Sequence, residues 1–154
     1  MGVSDTLGEK NFNQNILDYT STFETVDLNS TYLHTKAKYL GVKPEELVVK
    51  TYPVQITTLS YFILSHINSS VDILKIDVEG HEYPCLVGLF NAEIPIEIKY
   101  IQLEQHNDDM YINKTPFSEI AKLLNDNGFE IKTTVKHGFG DFEEVVFYNT
   151  KLVQ

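Results

Sequence analysis

The chain has 154 residues, 42% hydrophobic and 22% charged, the balance of one folded domain rather than a disordered segment. Twelve Lys and Arg face 22 Asp and Glu for a net charge of −10, a sign that repels phosphate backbones and excludes nucleic acid as a partner. Apolar runs such as the one around Ile73 are too short to span a bilayer, the single Cys85 has no disulfide partner, and no apolar secretory segment follows Met1; no membrane association and a cytoplasmic location are expected.

Residues 1–40 are rich in Asn, Thr, Ser and Asp, with a turn predicted at Gly8 and a short strand over 10–13. Gly2 fits the loose myristoylation pattern only by chance, and the sequons at Asn29, Asn68 and Asn113 are discounted without a secretory segment. Tyr32, Leu33, Lys36, Ala37 and Leu40 have the spacing of a short, peripheral helix over 31–40 that Gly41 would stop. The β-branched run 47–52 predicts a strand, and Thr57 or Thr58 would cap a helix running to about His66.

The run 71–77 is nearly continuous in apolar character and predicts a central parallel strand covered on both faces. A short helix over 82–90 follows, its first turn tolerating Pro84, and then a second parallel strand over 99–104 that ends in the polar cluster 105–109. Thr115-Pro116 opens an amphipathic helix closed by Gly128, and strands over 129–135 and 143–148 make a terminal antiparallel hairpin across 136–141. The order predicts an open, mostly parallel α/β sheet with an antiparallel edge, whose ligands gather at the carboxyl ends of the parallel strands.

Two groups of ionisable residues fall at those ends. Asp77, Glu79, His81 and Glu82 follow the first parallel strand, and Glu104 and His106 end the second. Neighbouring strands lie ~4.8 Å apart, so both tips can line one cleft. A carboxylate in a dry cleft or a histidine near neutrality suits removal of a proton from a substrate hydroxyl; the structural alternative is that these groups cap the following helix and face water. The spacing matches neither a zinc pattern nor a calcium loop, so no metal is expected. Cys85 reads as a small buried apolar residue, and Gly138-Phe139-Gly140 is followed by a strand rather than a helix, so no phosphate cradle is formed.

Leu74-Lys75-Ile76-Asp77-Val78-Glu79-Gly80-His81-Glu82 resembles the L-K-I-D-V-E-G-x-E signature of FkbM-like methyltransferases. In the order of that family, Gly2-Val3-Ser4-Asp5 with Gly8-Glu9 resembles the segment after its third strand, Thr58-Leu59 its T-L-D, residues 86–89 its V-L-x-G, and residues 100–106 the next strand with its terminal acid and histidine. Ser60 stands where the family has aspartate, and Pro84-Cys85 is unusual after the signature.

The resemblance implies methyl transfer from S-adenosylmethionine, usually to an oxygen, in a Rossmann-like seven-stranded sheet whose last two strands form a reversed hairpin. It also implies that the family's first strand, its D-x-G-A-N-x-G loop and its ribose-binding acid would precede Met1. The expectation is therefore one partial methyltransferase domain over 1–154. Asp77, Glu79, His81, Glu104 and His106 are its catalytic candidates, its cofactor-binding residues are unknown, and its acceptor is a small molecule or saccharide. Two other readings are a non-catalytic module that pairs through an exposed N-terminal sheet edge, as a homo-oligomer or with a complementing subunit, and a metal-dependent hydrolase built on the carboxylate and histidine tips.

Overall fold

A computed structural model describes residues 1–67, 70–112, 114–137 and 142–153. Asn68 and Asn113 of the sequons, the Gly138-Phe139-Gly140 pair and the hairpin connection 138–141 lie outside the described residues. The elements run β1 (Gly2–Val3), β2 (Gly8–Asn15), α1 (Thr31–Leu40), β3 (Val48–Thr57), α2 (Leu59–His66) and β4 (Ser70–Ile76). They continue with α3 (Glu82–Phe90), β5 (Glu97–His106), α4 (Phe117–Asp126), β6 (Phe129–His137) and β7 (Phe142–Asn149). No helix among the described residues is long and apolar enough to cross a membrane.

The helix ends follow local chemistry. Ser30 accepts the Leu33 N–H at 2.9 Å to start α1, and Gly41, at φ 70°, stops it in the left-handed conformation. Of the two candidate caps for α2, Thr58 is the one used, accepting the Tyr61 N–H at 3.1 Å. Ser60 is buried in that helix and donates to the Gly88 carbonyl at 2.7 Å, which ties α2 to α3.

The strands form two sheets, ordered β1-β3-β2 and β4-β5-β7-β6, rather than one sheet of seven. Only β1 with β3 and β4 with β5 are parallel, while β2 with β3, β5 with β7 and β6 with β7 are antiparallel, so the sheets are not mostly parallel. The reason is that β2 runs back along β3 and the terminal hairpin adds two antiparallel pairings. As the resemblance implies, that hairpin is reversed, with β7 inserted between β5 and β6.

The run around Ile73 is not a central strand. β4 lies at the end of its sheet, Ile73 is 64% exposed, and Ile76 is the one residue of the strand that is fully buried. An apolar run marks a surface that can be covered; which neighbours cover it is decided by topology.

The main core joins Ile98, Ile101 and Leu103 of β5 and Val145 and Phe147 of β7 to Ile63, Leu86, Leu89, Ile120 and Leu124 of the helices. A second core sets Leu33 and Ala37 of α1 against Leu47, Met110 and Tyr111. α1 is therefore not peripheral: its apolar stripe holds down the segment after β5.

Gly88 lets α3 approach the chain end of β1, where an added Cβ would stand 2.2 Å from the Ser4 carbonyl oxygen. Backbone cannot yield as a side-chain tip can. Gly88→Ala is expected to lower stability by about 1–3 kcal/mol, read as a fall in the urea midpoint; an unchanged midpoint would contradict this close approach.

Candidate active site

β4 runs parallel to β5 with Ile76 paired to Leu103, so the chain leaves β4 level with Glu104. Asp77 comes first and receives Lys75 Nζ at 3.2 Å. The chain then reverses through two residues at positive φ, Glu79 at 53° and Gly80 at 93°. The first is strained for a residue with a side chain, by about 1–3 kcal/mol. At the second the Tyr111 ring leaves no room for one, since an added Cβ would stand 2.8 Å from it.

Glu82 holds this turn from within. Its buried Oε1 accepts the Gly80 N–H at 3.2 Å and the Val78 N–H at 3.4 Å, and burial raises its pKa against the lowering effect of those bonds. The structural reading of the cluster holds for Glu82.

Around the turn three candidates converge, Glu79, Glu104 and His106, joined by Tyr111 and Asp108. The Tyr111 hydroxyl donates to Glu79 Oε2 at 2.9 Å. His106 Nε2 lies 3.1 Å from Glu104 Oε1 and 3.8 Å from Glu79 Oε2, while its Nδ1 lies 3.2 Å from Asp108 Oδ2. Asp108 is fixed in turn by the Met110 N–H at 2.9 Å.

The electrostatics follow from that crowding. Burial raises the Glu104 pKa, and the negative charges of Asp77 and Glu79 raise it further. For His106, burial alone would lower the pKa, but the bond to Asp108 and the charges of Glu79 and Asp108 outweigh it and the net direction is up. Asp108 moves down despite its burial, because His106 and the Met110 N–H stabilise its charge. Burial and then the Glu79 charge push the Tyr111 hydroxyl upward, so it stays a hydrogen-bond donor.

His81 does not join this group. The reversal at Glu79 and Gly80 carries it the other way, into full burial, where Nε2 lies 2.9 Å from Ser4 Oγ and Nδ1 2.5 Å from Glu24 Oε1. Phe23 packs on its ring with centroids 5.2 Å apart. The serine–histidine–carboxylate order invites a nucleophile reading, but Ser4 Oγ donates its hydrogen to Asp5 Oδ1 at 2.9 Å and both Ser4 and His81 are 0% exposed. His81 is a structural pin between α3 and the N-terminal segment. Cys85 is likewise buried, and burial pushes its thiol up to about 12, far from a nucleophilic thiolate.

Sequence reasoning missed Asp108 and Tyr111. Asp108 sat unremarked within a polar loop, and Tyr111 lies in a segment without periodicity; only the contact with Glu79 gives it a role.

A cleft of about 1050 Å³ is walled by Tyr32, Lys36 and Tyr39 of α1 on one side and by Asn107, Asp108 and Asp109 on the other, and it meets the cluster at Asp108, the partner of His106. Burial lowers the Lys36 pKa, while the nearby charges of Glu79 and Asp108 oppose that shift. Asp109 builds the wall by accepting from the Ser30 hydroxyl at 2.6 Å and from the Thr31 and Tyr32 N–H groups at 3.0 and 3.2 Å.

The FkbM methyltransferase domain profile matches residues 2–131, a span that holds every residue of the cluster. The chain belongs to the FkbM methyltransferase family. No curated protein and no solved structure matches it. FkbM methyltransferases generally use S-adenosylmethionine, whose hydroxyls and carboxylate call for a backbone cradle that approaches closely at glycines. Among the described residues of this FkbM chain the glycines do not build one. Gly2, Gly80 and Gly88 are packed against protein atoms, and Gly8, Gly41 and Gly128 face open space.

His81 and Glu104 should separate stability from chemistry. His81→Leu is expected to cost about 1–3 kcal/mol by removing the buried ring that links Ser4 to Glu24, whereas Glu104→Gln should leave the urea midpoint nearly unchanged; the opposite order would contradict these placements. Asp109 supplies a pH signature. Its folded pKa lies below the ordinary 3.8 through its bonds to Ser30, Thr31 and Tyr32, so its stabilisation is present above that value and lost as pH falls through the lowered one. In urea melts at acid pH, Asp109→Asn should remove that part of the decline, and an identical acid limb would contradict it.

Proposed function

We propose that this FkbM-family chain forms the acceptor side of an S-adenosylmethionine-dependent methyltransferase that acts on a hydroxyl oxygen of a small-molecule or saccharide acceptor. The reading is carried by the convergence of Glu79, Glu104 and His106 at the carboxyl ends of two parallel strands, with Asp77 at the end of the first and a cleft reached through Asp108 that is large enough for such an acceptor.

The chain's own residues prepare the acceptor. Glu104, its pKa raised by burial and by Asp77, is a stronger base than a free carboxylate and takes the hydroxyl proton. His106, 3.1 Å away, supports the developing charge, and Asp108 holds its ring in position. Tyr111 orients Glu79, and Asp77, the most exposed carboxylate of the group, directs the acceptor toward Glu104. S-adenosylmethionine, when bound, supplies the methyl group.

A second reading rests on one observation. β4 ends its sheet with Ile73 64% exposed, and Tyr61, Phe62 and Ile67 are exposed on and just after α2. Such an edge suits pairing with a further strand, from a copy of the chain or a complementing subunit, in a module without catalysis of its own.

The test is transfer of labelled methyl groups to a panel of hydroxylated acceptors, with donor binding followed by calorimetry. Glu104→Gln should slow transfer by about 10²–10⁴-fold while donor binding is unchanged. Equal rates would overturn acceptor activation by Glu104. Self-association in sedimentation, without heat from millimolar donor, would favour the second reading.

A further inference from the structure

We propose that Glu79, Glu104 and His106 form a binding site for one divalent transition-metal ion. Sequence spacing argues against a metal because the three residues come from two strand ends rather than from a compact motif. The fold removes that objection: a carboxylate oxygen of Glu79, a carboxylate oxygen of Glu104 and a ring nitrogen of His106 all lie within 4.8 Å of one another, with His106 Nε2 3.1 Å from Glu104 Oε1 and 3.8 Å from Glu79 Oε2, so a small closing movement of the carboxylates brings all three to the bond lengths of about 2.0–2.2 Å that one ion requires.

A second observation separates this group from an ordinary acidic patch. His106 Nε2 is wholly shielded from solvent and makes no hydrogen bond, although Glu104 Oε1 is 3.1 Å away. The side chain is 12% exposed. A buried ring nitrogen without a hydrogen bond, aimed between two carboxylates that carry no proton to give it, is a lone pair in want of a cation.

The surroundings are those of a ligating histidine. Nδ1 is engaged by Asp108, whose side chain is 3% exposed. A carboxylate there keeps the proton on Nδ1 and leaves Nε2 free to ligate. Glu79 is held by the Tyr111 hydroxyl. Asp77 lies outside the convergent group and is paired with Lys75.

The donor set selects the ion. Two carboxylates with one imidazole favour Mn²⁺, Fe²⁺ or Zn²⁺ over Ca²⁺ and Mg²⁺, which prefer oxygen alone. Three protein ligands leave positions open to water or to a substrate oxygen. The competing account is a protonated His106 that balances the carboxylates by itself.

The experiment is titration of chelator-treated protein with Mn²⁺, followed by electron paramagnetic resonance, without methyl donor or acceptor, so that its failure is separate from failure of the methyl-transfer reading. One ion per chain is expected, with affinity falling at least tenfold in Glu104→Gln and in His106→Ala and unchanged in the exposed Asp126→Asn. No binding at millimolar Mn²⁺, or equal affinity in all variants, would overturn the site. Nitrogen NMR of the His106 ring in unaltered protein needs no variant. Added Zn²⁺ should shift Nε2 while Nδ1 keeps its proton, and a ring that stays protonated on both nitrogens would decide for the imidazolium.

Discussion

The site depends on one register. β4 lies parallel to β5 with Ile76 opposite Leu103, so the turn that follows β4 opens beside Glu104 and two residues short of His106. A slip of one residue would turn the side chains of β4 to the other face and separate the carboxylates of the turn from those of the next strand. Burial of Ile76 and Leu103 in the same core opposes that slip.

Register alone does not aim the turn. Glu79 is held at positive φ, a conformation that costs free energy, and it persists because several contacts agree on it. Tyr111 bonds its carboxylate and packs on Gly80, Glu82 takes the free N–H groups from beneath, and Thr22 donates to the Glu79 carbonyl at 2.8 Å. Tyr111 is itself fixed by the core beneath α1. The path from α1 to the site thus runs through packing at Leu33 and Ala37, then Met110 and Tyr111, then Glu79. A helix that touches none of the three convergent groups helps to set where they stand.

Much of this was legible in the sequence where local chemistry decides. Ser30 and Gly41 bracket α1, the Leu86, Leu89 and Phe90 stripe marks α3, and the carboxyl ends of the β4 and β5 segments pointed to the same carboxylates and histidine. The rest depended on long-range contacts. Nothing within the run around Ile73 reveals that its strand ends a sheet. The single polypeptide stretch that carries Glu79 and His81 gave no sign that they would part, because the parting is made by backbone dihedrals at Glu79 and Gly80. Asp108 and Tyr111 matter through partners 2 and 32 residues away, and only the second distance requires the fold. That the two strand ends share one cleft follows from strand spacing, but that Glu79, Glu104 and His106 stand close enough for one ion does not, since a ligand-spacing rule sees one segment at a time.

The docking of the turn after β4 onto the segment after β5 is tested most directly by a double-mutant cycle on stability with Glu79→Ala and Tyr111→Phe. The account predicts a coupling of about 1–2 kcal/mol between the two positions. Additive losses, with no coupling beyond about 0.3 kcal/mol, would contradict it.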